Sequence, residues 1–366
     1  MIIKNVKVYG EDFQFHPGDV VIENGVFCET ASNTGEVIDG EGAYAIPGLI
    51  DIHFHGCMGA DVCDNDPEAI RTIAEYEASV GVTTICPATM TLPVDDLKKI
   101  LSTVASYTNE SGAHLVGLNM EGPFIDPIKK GAQAEENIVA PNAEFFRACN
   151  AASGGKIRLV TLAPNMPGSL EFIKEVSDEV MVSIGHTTAD YDTALAAMKE
   201  GAHNVTHLCN AMPPFAHRNP GVIGAAFDDP ECRMELICDG YHIHGAVVRA
   251  TFSMMGSERM VLISDSMMAT GMPNGTYSLG GQAVWMKDGK ATLTDGETIA
   301  GSATNLYDCM RKAVSFDIPL ADAIFAATRN PAQSIGIYDE VGSIAPGKKA
   351  HVLLVDDELN LKQVIM

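Results

Sequence analysis

Apolar and polar residues alternate in two different ways along this chain. The first 46 residues contain three short strand-like segments, VKVYG, DVVIENGVFCE and EVIDGEGAYAI, and the Asn24-Gly25 pair between two of the strands is a typical hairpin turn. From about residue 48, apolar strand-like runs alternate with longer helix-like stretches, and the tail from Gly342 returns to strand character. This pattern predicts a small β-sandwich domain built from both chain termini beside a larger α/β domain.

Eight apolar runs in the central region have the length and composition of buried strands. Helix-like stretches follow most of them, for example residues 94–106, 190–200 and 245–256. Eight βα repeats predict a closed (β/α)8 TIM-type barrel. An open doubly wound sheet is the alternative, but the glycine fingerprint expected after its first strand is missing. The eight runs cover residues 49–53, 82–87, 115–120, 158–163, 181–185, 203–206, 234–238 and 261–264.

The first helix of the central region has clear boundaries in the sequence. Asp66 is placed to cap its amino end, Pro67 suits the first helical position, and Gly81 suits the stop. Such punctuation supports the alternation of strands and helices. The predicted division of the chain is 1–47 and 341–366 for the small β domain and 48–340 for the barrel.

Side chains that bind metals follow the predicted strands at their carboxyl ends. In a parallel barrel these ends meet at one mouth, where active sites are built. Imidazole and carboxylate groups are suitable ligands for divalent metals. The residues are His53 and His55 after the first strand, Glu121 after the third, His186 after the fifth, His207 after the sixth and Asp265 after the eighth.

Each of these residues also has a simpler explanation when it is considered alone. A single histidine at a strand end is commonly a hydrogen-bonded loop residue, and Asp265 could cap a helix. Their joint occurrence at one end of the barrel favours a metal site. The remaining histidines away from strand ends are expected to be structural or exposed, namely His16, His114, His203 and His351.

Charge and cysteine content narrow the choice of partners. The formal net charge of −24 argues against nucleic acid or an anionic membrane as the main partner, since both require a basic face. A small anion remains compatible, because a few local cations can bind one phosphate. Nine cysteines without a CxxC pair indicate neither a disulfide framework nor a zinc ribbon. Lys4 and Lys7 interrupt the stretch that a signal peptide needs, so we expect a cytoplasmic protein.

Seven motifs in this order resemble the N-acetylglucosamine-6-phosphate deacetylases of the amidohydrolase superfamily. They are PGLIDIHFHG, EGPF, GHT, THLCNAMPPF, ICDGYH, LISDSMMATG and GSATN. The resemblance covers nearly the whole chain. Hydantoinase-like members of the superfamily carry a metal-bridging lysine on strand four, whereas strand four here reads IRLVTLA and has no lysine. The resemblance to the deacetylases implies that Glu121 bridges the two metals instead.

The resemblance implies a metal-dependent deacetylase. Glu121, His186 and His207 would hold one divalent ion, and His53, His55 and Asp265 would hold a second that shares Glu121. Zinc or iron is the expected metal, with one or two ions per subunit, because mixed nitrogen and oxygen ligation is permissive. Asp265 is the expected general base, which passes the proton of the attacking water to the sugar nitrogen.

The resemblance also implies residues that bind an N-acetylated phosphosugar. His242 and Arg218 would bind the 6-phosphate, and Arg218 would come from the neighbouring subunit of a homodimer. The planar guanidinium of arginine is well suited to phosphate. The other matched positions are Ala132, Gln133, Asn210, Ala211, Ile299, Ala300 and Gly301.

Three activities are compatible with these motifs. The first is hydrolysis of N-acetyl-D-glucosamine 6-phosphate to glucosamine 6-phosphate and acetate, in amino-sugar catabolism or cell-wall recycling. The second is the same chemistry on a related sugar such as N-acetylgalactosamine 6-phosphate, or on an unphosphorylated sugar. The third is a non-catalytic scaffold, against which the retention of all six ligand positions argues.

Overall fold

The computed structural model describes residues 1–30 and 35–366. The strands are β1 Ile2–Tyr9, β2 Phe15–Glu23, β3 Val26–Cys28, β4 Val37–Asp39, β5 Tyr44–Pro47, β6 Leu49–Asp51, β7 Gly56–Cys57, β8 Ala60–Asp61, β9 Val82–Ile85, β10 Ala88–Thr89, β11 His114–Leu115, β12 Leu118–Glu121, β13 Ile157–Leu162, β14 Met181–Ile184, β15 Asn204–Val205, β16 Arg233–Ile237, β17 Met260–Ile263, β18 Gly275–Leu279, β19 Gln282–Lys287, β20 Lys290–Leu293, β21 Val352–Val355 and β22 Leu361–Ile365. The α-helices are α1 Pro67–Ser79, α2 Val94–Ser106, α3 Ala143–Ala152, α4 Ser169–Val176, α5 Tyr191–Lys199, α6 Gly221–Asp228, α7 Gly245–Met255, α8 Leu306–Ser315, α9 Leu320–Ala327 and α10 Arg329–Ser334.

Both chain termini contribute to one sheet, in the order β22-β21-β5-β1-β2-β3 with β4 also beside β1. The predicted hairpin is present: β2 and β3 pair from Glu23 to Val26, and Asn24 and Gly25 have φ of 51° and 75°. Two successive positive φ values define the turn type that matches the twist of a hairpin. Among the described residues these strands form a single hydrogen-bonded sheet, so the two-layer sandwich that we expected is not confirmed.

The central strands form a curled parallel sheet, which is consistent with a TIM-like barrel. β6, β9 and β11 pair in parallel, and a longer ladder runs β10-β12-β13-β14-β15-β16-β17 in chain order. Hydrogen bonds also join the first and last of these strands just beyond their ends. The amide of Asp265 donates to His53 O at 2.9 Å, and the amide of His55 donates to Ser266 O at 2.7 Å. The first and last ligand-bearing segments are therefore adjacent.

Two predicted strands are interrupted in the structure. In the run 82–87, β9 ends at Ile85, two residues before Pro87, which has no amide proton for a ladder, and β10 begins just after the run at Ala88. The run 115–120 divides into β11 and β12 at Gly117, where a Cβ atom would lie 2.3 Å from Arg158 Cγ. The two regions pair with each other on both sides of these interruptions, β9 with β11 and β10 with β12.

The helices agree closely with the sequence pattern. α2 has the predicted bounds, and α5 and α7 differ from them by one residue at one or both ends. Asp66 caps α1 by accepting a hydrogen bond from the amide of Glu68 at 2.9 Å, and Pro67 is the first helical residue. A three-stranded antiparallel sheet, β18-β19-β20, was not predicted; it lies between the last barrel strand and α8.

The connection between the terminal sheet and the barrel is a single residue. Gly48 alone separates β5 from β6, and its amide donates to His351 O at 2.9 Å. β5 also pairs with β21 in an antiparallel ladder, in which Tyr44 lies opposite Val355 and Pro47 lies opposite Val352. The strand that leads to His53 and His55 therefore continues directly from the terminal sheet.

Gly185, which immediately precedes His186, is a packing constraint on the site. A Cβ atom there would lie 2.7 Å from Thr206 Cβ and 2.8 Å from Thr161 Cγ2. Both neighbours are β-branched and buried, so they cannot turn aside easily. We expect Gly185→Ala to lower the free energy of unfolding by about 1–3 kcal/mol through overpacking.

Chemical denaturation of the variant and the wild type measures this cost. Gly18→Ala is the matched control, because its Cβ would meet only Val8 Cγ2 at 3.8 Å. The control should change the free energy of unfolding by less than about 1 kcal/mol. Equal stabilities for the two variants would show that the space beside His186 is not restrictive.

Candidate metal centre

The six predicted metal ligands converge at the carboxyl ends of the parallel strands. Glu121 ends β12, while His186, His207 and Asp265 each lie two residues beyond β14, β15 and β17. Their ligand atoms form two groups, and within each group the atoms lie within 4.8 Å of one another. We call Glu121, His186 and His207 the glutamate set, and His53, His55 and Asp265 the aspartate set.

The glutamate set is compact. Glu121 Oε1 lies 3.1 Å from His186 Nε2 and 3.2 Å from His207 Nε2, and the two imidazole nitrogens are 3.0 Å apart. All three side chains are buried. Three donor atoms that face a common point in this way have the chemistry and spacing of a divalent metal site.

The aspartate set lies on the other side of the Glu121 carboxylate. His55 Nε2 is 3.4 Å from Asp265 Oδ1, and His53 Nε2 is 3.8 Å from the same oxygen. Glu121 Oε1 is 3.2 Å from His53 Nε2, and Glu121 Oε2 is 3.4 Å from His55 Nε2. Glu121 thus contacts imidazoles of both sets.

Three of the ligands have strained backbones. The φ angles of His186, His207 and Asp265 are 46°, 30° and 49°. Residues other than glycine rarely adopt positive φ, and such conformations occur preferentially at functional sites. The chain turns sharply at each of these residues, which directs the side chain into the mouth instead of along the strand.

Opposite charges shift the pKa values of the buried groups. Burial by itself lowers the pKa of His53, but the charges of Glu121 and Glu235 raise it well above its ordinary value. Burial raises the pKa of Glu121, and its contacts with His53, His186 and His207 outweigh this and hold it well below its usual range. The same balance, with His55 as the main partner, lowers the pKa of Asp265. The carboxylates therefore attract positive charge strongly.

Contacts at the second ring nitrogen orient the imidazoles. His186 Nδ1 lies 2.9 Å from Lys129 O, and His55 Nδ1 lies 3.1 Å from Ala88 O. A carbonyl oxygen only accepts, so each Nδ1 is the donor and each Nε2 is left free to bind an ion. His53 Nδ1 instead lies 2.8 Å from a carboxylate oxygen of Glu235.

A cavity of about 330 Å³ opens over both sets. Ile128, Lys129 and Leu279 contribute to its wall, together with Thr298. Ala300, one of the predicted substrate-binding residues, is buried, and its chain neighbours Ile299 and Gly301 line the cavity. The predicted residues that line the cavity are Ala132, Gln133, Asn210, Ala211, His242, Ile299 and Gly301.

The side chain of Gln133 makes hydrogen bonds to protein atoms at both ends. Its Nε2 donates to Glu121 Oε2 at 2.7 Å, and its Oε1 accepts from the amide of Thr91 at 2.7 Å. The Thr91 contact fixes which end of the amide faces the carboxylate. Gln133 therefore holds the orientation of Glu121.

Arg218 does not line the cavity of its own chain. It is exposed, and it lines a separate depression together with Asp190, Pro213 and Asp228. His242, in contrast, lines the cavity and is held by Asp239, whose Oδ2 lies 2.7 Å from His242 Nδ1.

Sequence reasoning missed two carboxylates that contact site histidines, Asp239 and Glu235. Asp239 is part of the ICDGYH motif, of which only the histidine was singled out. Glu235 is a charged residue within the apolar strand MELI, and it is fully buried. A lone charge in such a strand is a usable signal, because carboxylates are almost never fully buried without a partner.

The sequence profile of the amidohydrolase family matches residues 44–365. The chain belongs to the amidohydrolase family. The resemblance seen in the motifs is thereby confirmed.

Curated relatives of this amidohydrolase extend over almost the whole chain. The N-acetylglucosamine-6-phosphate deacetylase of Bacillus subtilis (strain 168) is 34% identical over 371 residues, which cover 98% of this chain and 93% of the relative. The N-acetylgalactosamine-6-phosphate deacetylase of Escherichia coli O157:H7 is 33% identical over 347 residues, covering 94% and 92%.

Solved structures agree with the fold. N-acetyl-D-glucosamine-6-phosphate deacetylase from Mycobacterium smegmatis, in complex with N-acetyl-D-glucosamine-6-phosphate, superposes with a TM-score of 0.93 at 28% identity, covering 100% of this chain and 97% of that one. The deacetylase from Thermotoga maritima gives 0.89 at 30% identity, with coverage of 100% and 98%. No helix in the described parts of this amidohydrolase is both long and apolar enough to cross a membrane.

The two sets predict different responses to substitution. Glu121→Ala should abolish zinc binding at both sets, because its carboxylate contacts imidazoles of each. Asp265→Ala should leave zinc at the glutamate set, since it removes no atom of that set. Elemental analysis of the purified variants, after dialysis against dilute chelator, counts the ions. Loss of all zinc from Asp265→Ala would contradict the division into two sets.

Proposed function

We propose that this amidohydrolase removes the N-acetyl group of N-acetyl-D-glucosamine 6-phosphate, giving D-glucosamine 6-phosphate and acetate. The observation that carries the proposal is the cluster of six buried ligands around Glu121 at the floor of one cavity. Relatives over nearly the full chain length bear the name of this activity. The amino-sugar product would enter sugar catabolism or cell-wall recycling, and a cytoplasmic location stays a prediction.

The residues at the site fit a divalent metal. Four imidazoles and two carboxylates supply nitrogen and oxygen donors. The buried Nε2 atom of His53 makes no hydrogen bond among the described residues and lies 3.2 Å from Glu121 Oε1. The glutamate set would hold one ion and the aspartate set a second, and zinc or iron is the proposed metal. A divalent ion held there supplies Lewis acidity, which polarises a carbonyl oxygen and lowers the pKa of water to about 7.

Asp265 is the proposed catalytic base. Its carboxylate lines the cavity, 3.4 Å from His55 Nε2, and a positioned carboxylate of this kind can accept the proton of an attacking water. Asp265 would take one proton as the water oxygen attacks. It would then deliver that proton to the sugar nitrogen as the C–N bond breaks, so that the amine leaves neutral and acetic acid forms. The acid then loses its remaining proton to the released amine or to solvent and becomes acetate.

The other end of the cavity is proposed to bind the sugar phosphate. Asp239 fixes the ring of His242 through Nδ1, so that Nε2 is available to the ligand. Asn210 and Ala211 line the same end, and Arg218 of a second subunit would complete it in a homodimer. The exposure of Arg218 and its separation from the cavity within one subunit support a role in the neighbouring site.

The proposed architecture is a closed (β/α)8 barrel over residues 48–340 with a small β domain from 1–47 and 341–366. The hydrogen bonds between the segments that follow β6 and β17 support closure. The change from one sheet to the other at Gly48, and the pairing of β21 with β5, support these boundaries.

Acetate release from a panel of sugars tests the proposal. We expect turnover of N-acetyl-D-glucosamine 6-phosphate, and kcat/KM lower by about 30–100-fold for N-acetylglucosamine, which lacks the charge-assisted phosphate contacts.

Asp265→Ala should lower kcat by about 10²–10⁴-fold, the usual contribution of general acid–base catalysis. Preference for N-acetylgalactosamine 6-phosphate would favour the second candidate, which the 33% identity to the Escherichia coli enzyme of that name supports. No acetate from any sugar with any divalent ion would leave a scaffold.

Subunit exchange tests the position of Arg218. Arg218→Ala should raise KM for the phosphosugar by about 10–100-fold, through loss of a charged hydrogen bond, and leave the unphosphorylated sugar unaffected. Arg71→Ala, an exposed arginine on α1, is the control and should behave as wild type. Co-refolded Arg218→Ala and Asp265→Ala chains should recover about a quarter of wild-type activity, since each mixed dimer holds one intact site. If the mixed chains recover no activity, Arg218 does not act in the active site of the neighbouring subunit.

A further inference from the structure

Glu235 is a site carboxylate outside the two metal sets that contacts a member of each of them. It lies in the middle of β16 and is fully buried. Its Oε2 atom is 2.8 Å from His53 Nδ1 and accepts a hydrogen bond from the amide of His207 at 3.3 Å. His53 belongs to the aspartate set and His207 to the glutamate set.

The other carboxylate oxygen of Glu235 is held by a buried polar network. Oε1 accepts a hydrogen bond from Asn204 Nδ2 at 2.8 Å, and the same amide donates to Ser183 Oγ at 3.0 Å. Ser183 Oγ lies 2.6 Å from Thr206 Oγ1, which lies 2.9 Å from Thr161 Oγ1. Residues of four neighbouring strands, β13 to β16, thus hold the Glu235 carboxylate in one orientation through a chain of buried hydrogen bonds. Within this network Asn204 Oδ1 has no partner among the described residues.

Glu235 gives His53 a carboxylate at Nδ1, which the other three histidines of the two metal sets lack. His55 and His186 direct Nδ1 at neutral main-chain carbonyls, and His207 Nδ1 has no partner among the described residues. Within the same part of the chain no lysine or arginine forms an ion pair with Glu235; its only such partner is His53. A buried carboxylate without a cation depends on its hydrogen bonds.

The contact has two consequences for an ion at the aspartate set. A carboxylate at Nδ1 fixes the ring orientation, keeps the proton on Nδ1 and makes Nε2 a stronger electron donor. The third negative charge, beside those of Glu121 and Asp265, also offsets the repulsion between two divalent ions. A neutral carbonyl acceptor at Nδ1 also orients the ring, but it adds no negative charge to offset the repulsion between two ions.

We propose that Glu235 is a positioning residue that orients His53 through Nδ1 and raises the affinity of the aspartate set for a divalent ion. The inference rests on the metal-binding part of the proposed function. Glu235 does not line the cavity, so it would act only through His53. Its presence would determine whether the enzyme holds a second ion in addition to the first.

Zinc titrations in two backgrounds test the proposal. In His186→Ala, which disables the glutamate set, adding Glu235→Gln should raise the zinc dissociation constant of the remaining set by about 10–100-fold. In His53→Ala, which disables the aspartate set, the same addition should change zinc affinity by less than about threefold. Glu77→Gln, which replaces a fully buried acid of α1 that is not part of either set, is the control in both backgrounds and should have no effect.

Three results would overturn the inference. Equal zinc affinity with and without Glu235→Gln in the His186→Ala background excludes an effect on the aspartate set. Equal losses in both backgrounds would show a general structural role. Failure of the wild-type enzyme to bind any divalent metal, zinc and iron included, would contradict the proposed function itself, whereas the first two results leave that function intact.

A measurement on the wild-type chain covers the case in which Glu235→Gln does not fold. Nitrogen-15 NMR of the zinc-loaded enzyme, labelled at histidine, should show His53 protonated at Nδ1, with a hydrogen-bonded proton far downfield that exchanges slowly. The signal is assigned by its loss in His53→Ala. A His53 ring that carries its proton on Nε2 would contradict the proposed contact.

Discussion

The carboxylate of Glu121 is the interaction on which the site depends. One oxygen contacts His53, His186 and His207, and the other contacts His55 and the amide of Gln133. A buried negative charge is costly unless it is compensated. Here the compensation comes from four imidazoles that follow three different strands, β6, β14 and β15, so the buried charge and the arrangement of these strands depend on one another. Gln133, anchored on the amide of Thr91, prevents this carboxylate from rotating.

The sequence predicts those parts of the molecule that depend on hydrophobic periodicity and on the position of residues at strand ends. The eight strands and α2, α5 and α7 were predicted within a few residues, because amphipathic patterns and caps are local properties. The six ligands come together in the structure for a topological reason: the carboxyl ends of parallel strands share one edge.

Features that depend on pairing across the chain were not predictable in the same way. The sheet β18-β19-β20 has exposed, weakly patterned strands and was missed. The interruptions near Pro87 and at Gly117 lie in two regions that pair with each other on both sides of the break, and no single segment reveals this pairing. The lone charge of Glu235 in an apolar strand indicates a buried partner but not its identity, because the partner is a histidine 182 positions earlier in the chain. The roles of the cavity residues stay predictions until they are tested.

The single-residue link at Gly48 has a consequence for how the chain ends relate to catalysis. β22 pairs with β21, β21 pairs with β5, and β5 runs without a loop into the strand that carries His53 and His55. A displacement of the last residues is therefore transmitted through two ladders and one peptide unit to two metal ligands. The carboxyl terminus is distant from the cavity in sequence, yet it forms part of the support of the aspartate set. The terminal sheet and the aspartate set are thus parts of one continuous backbone support.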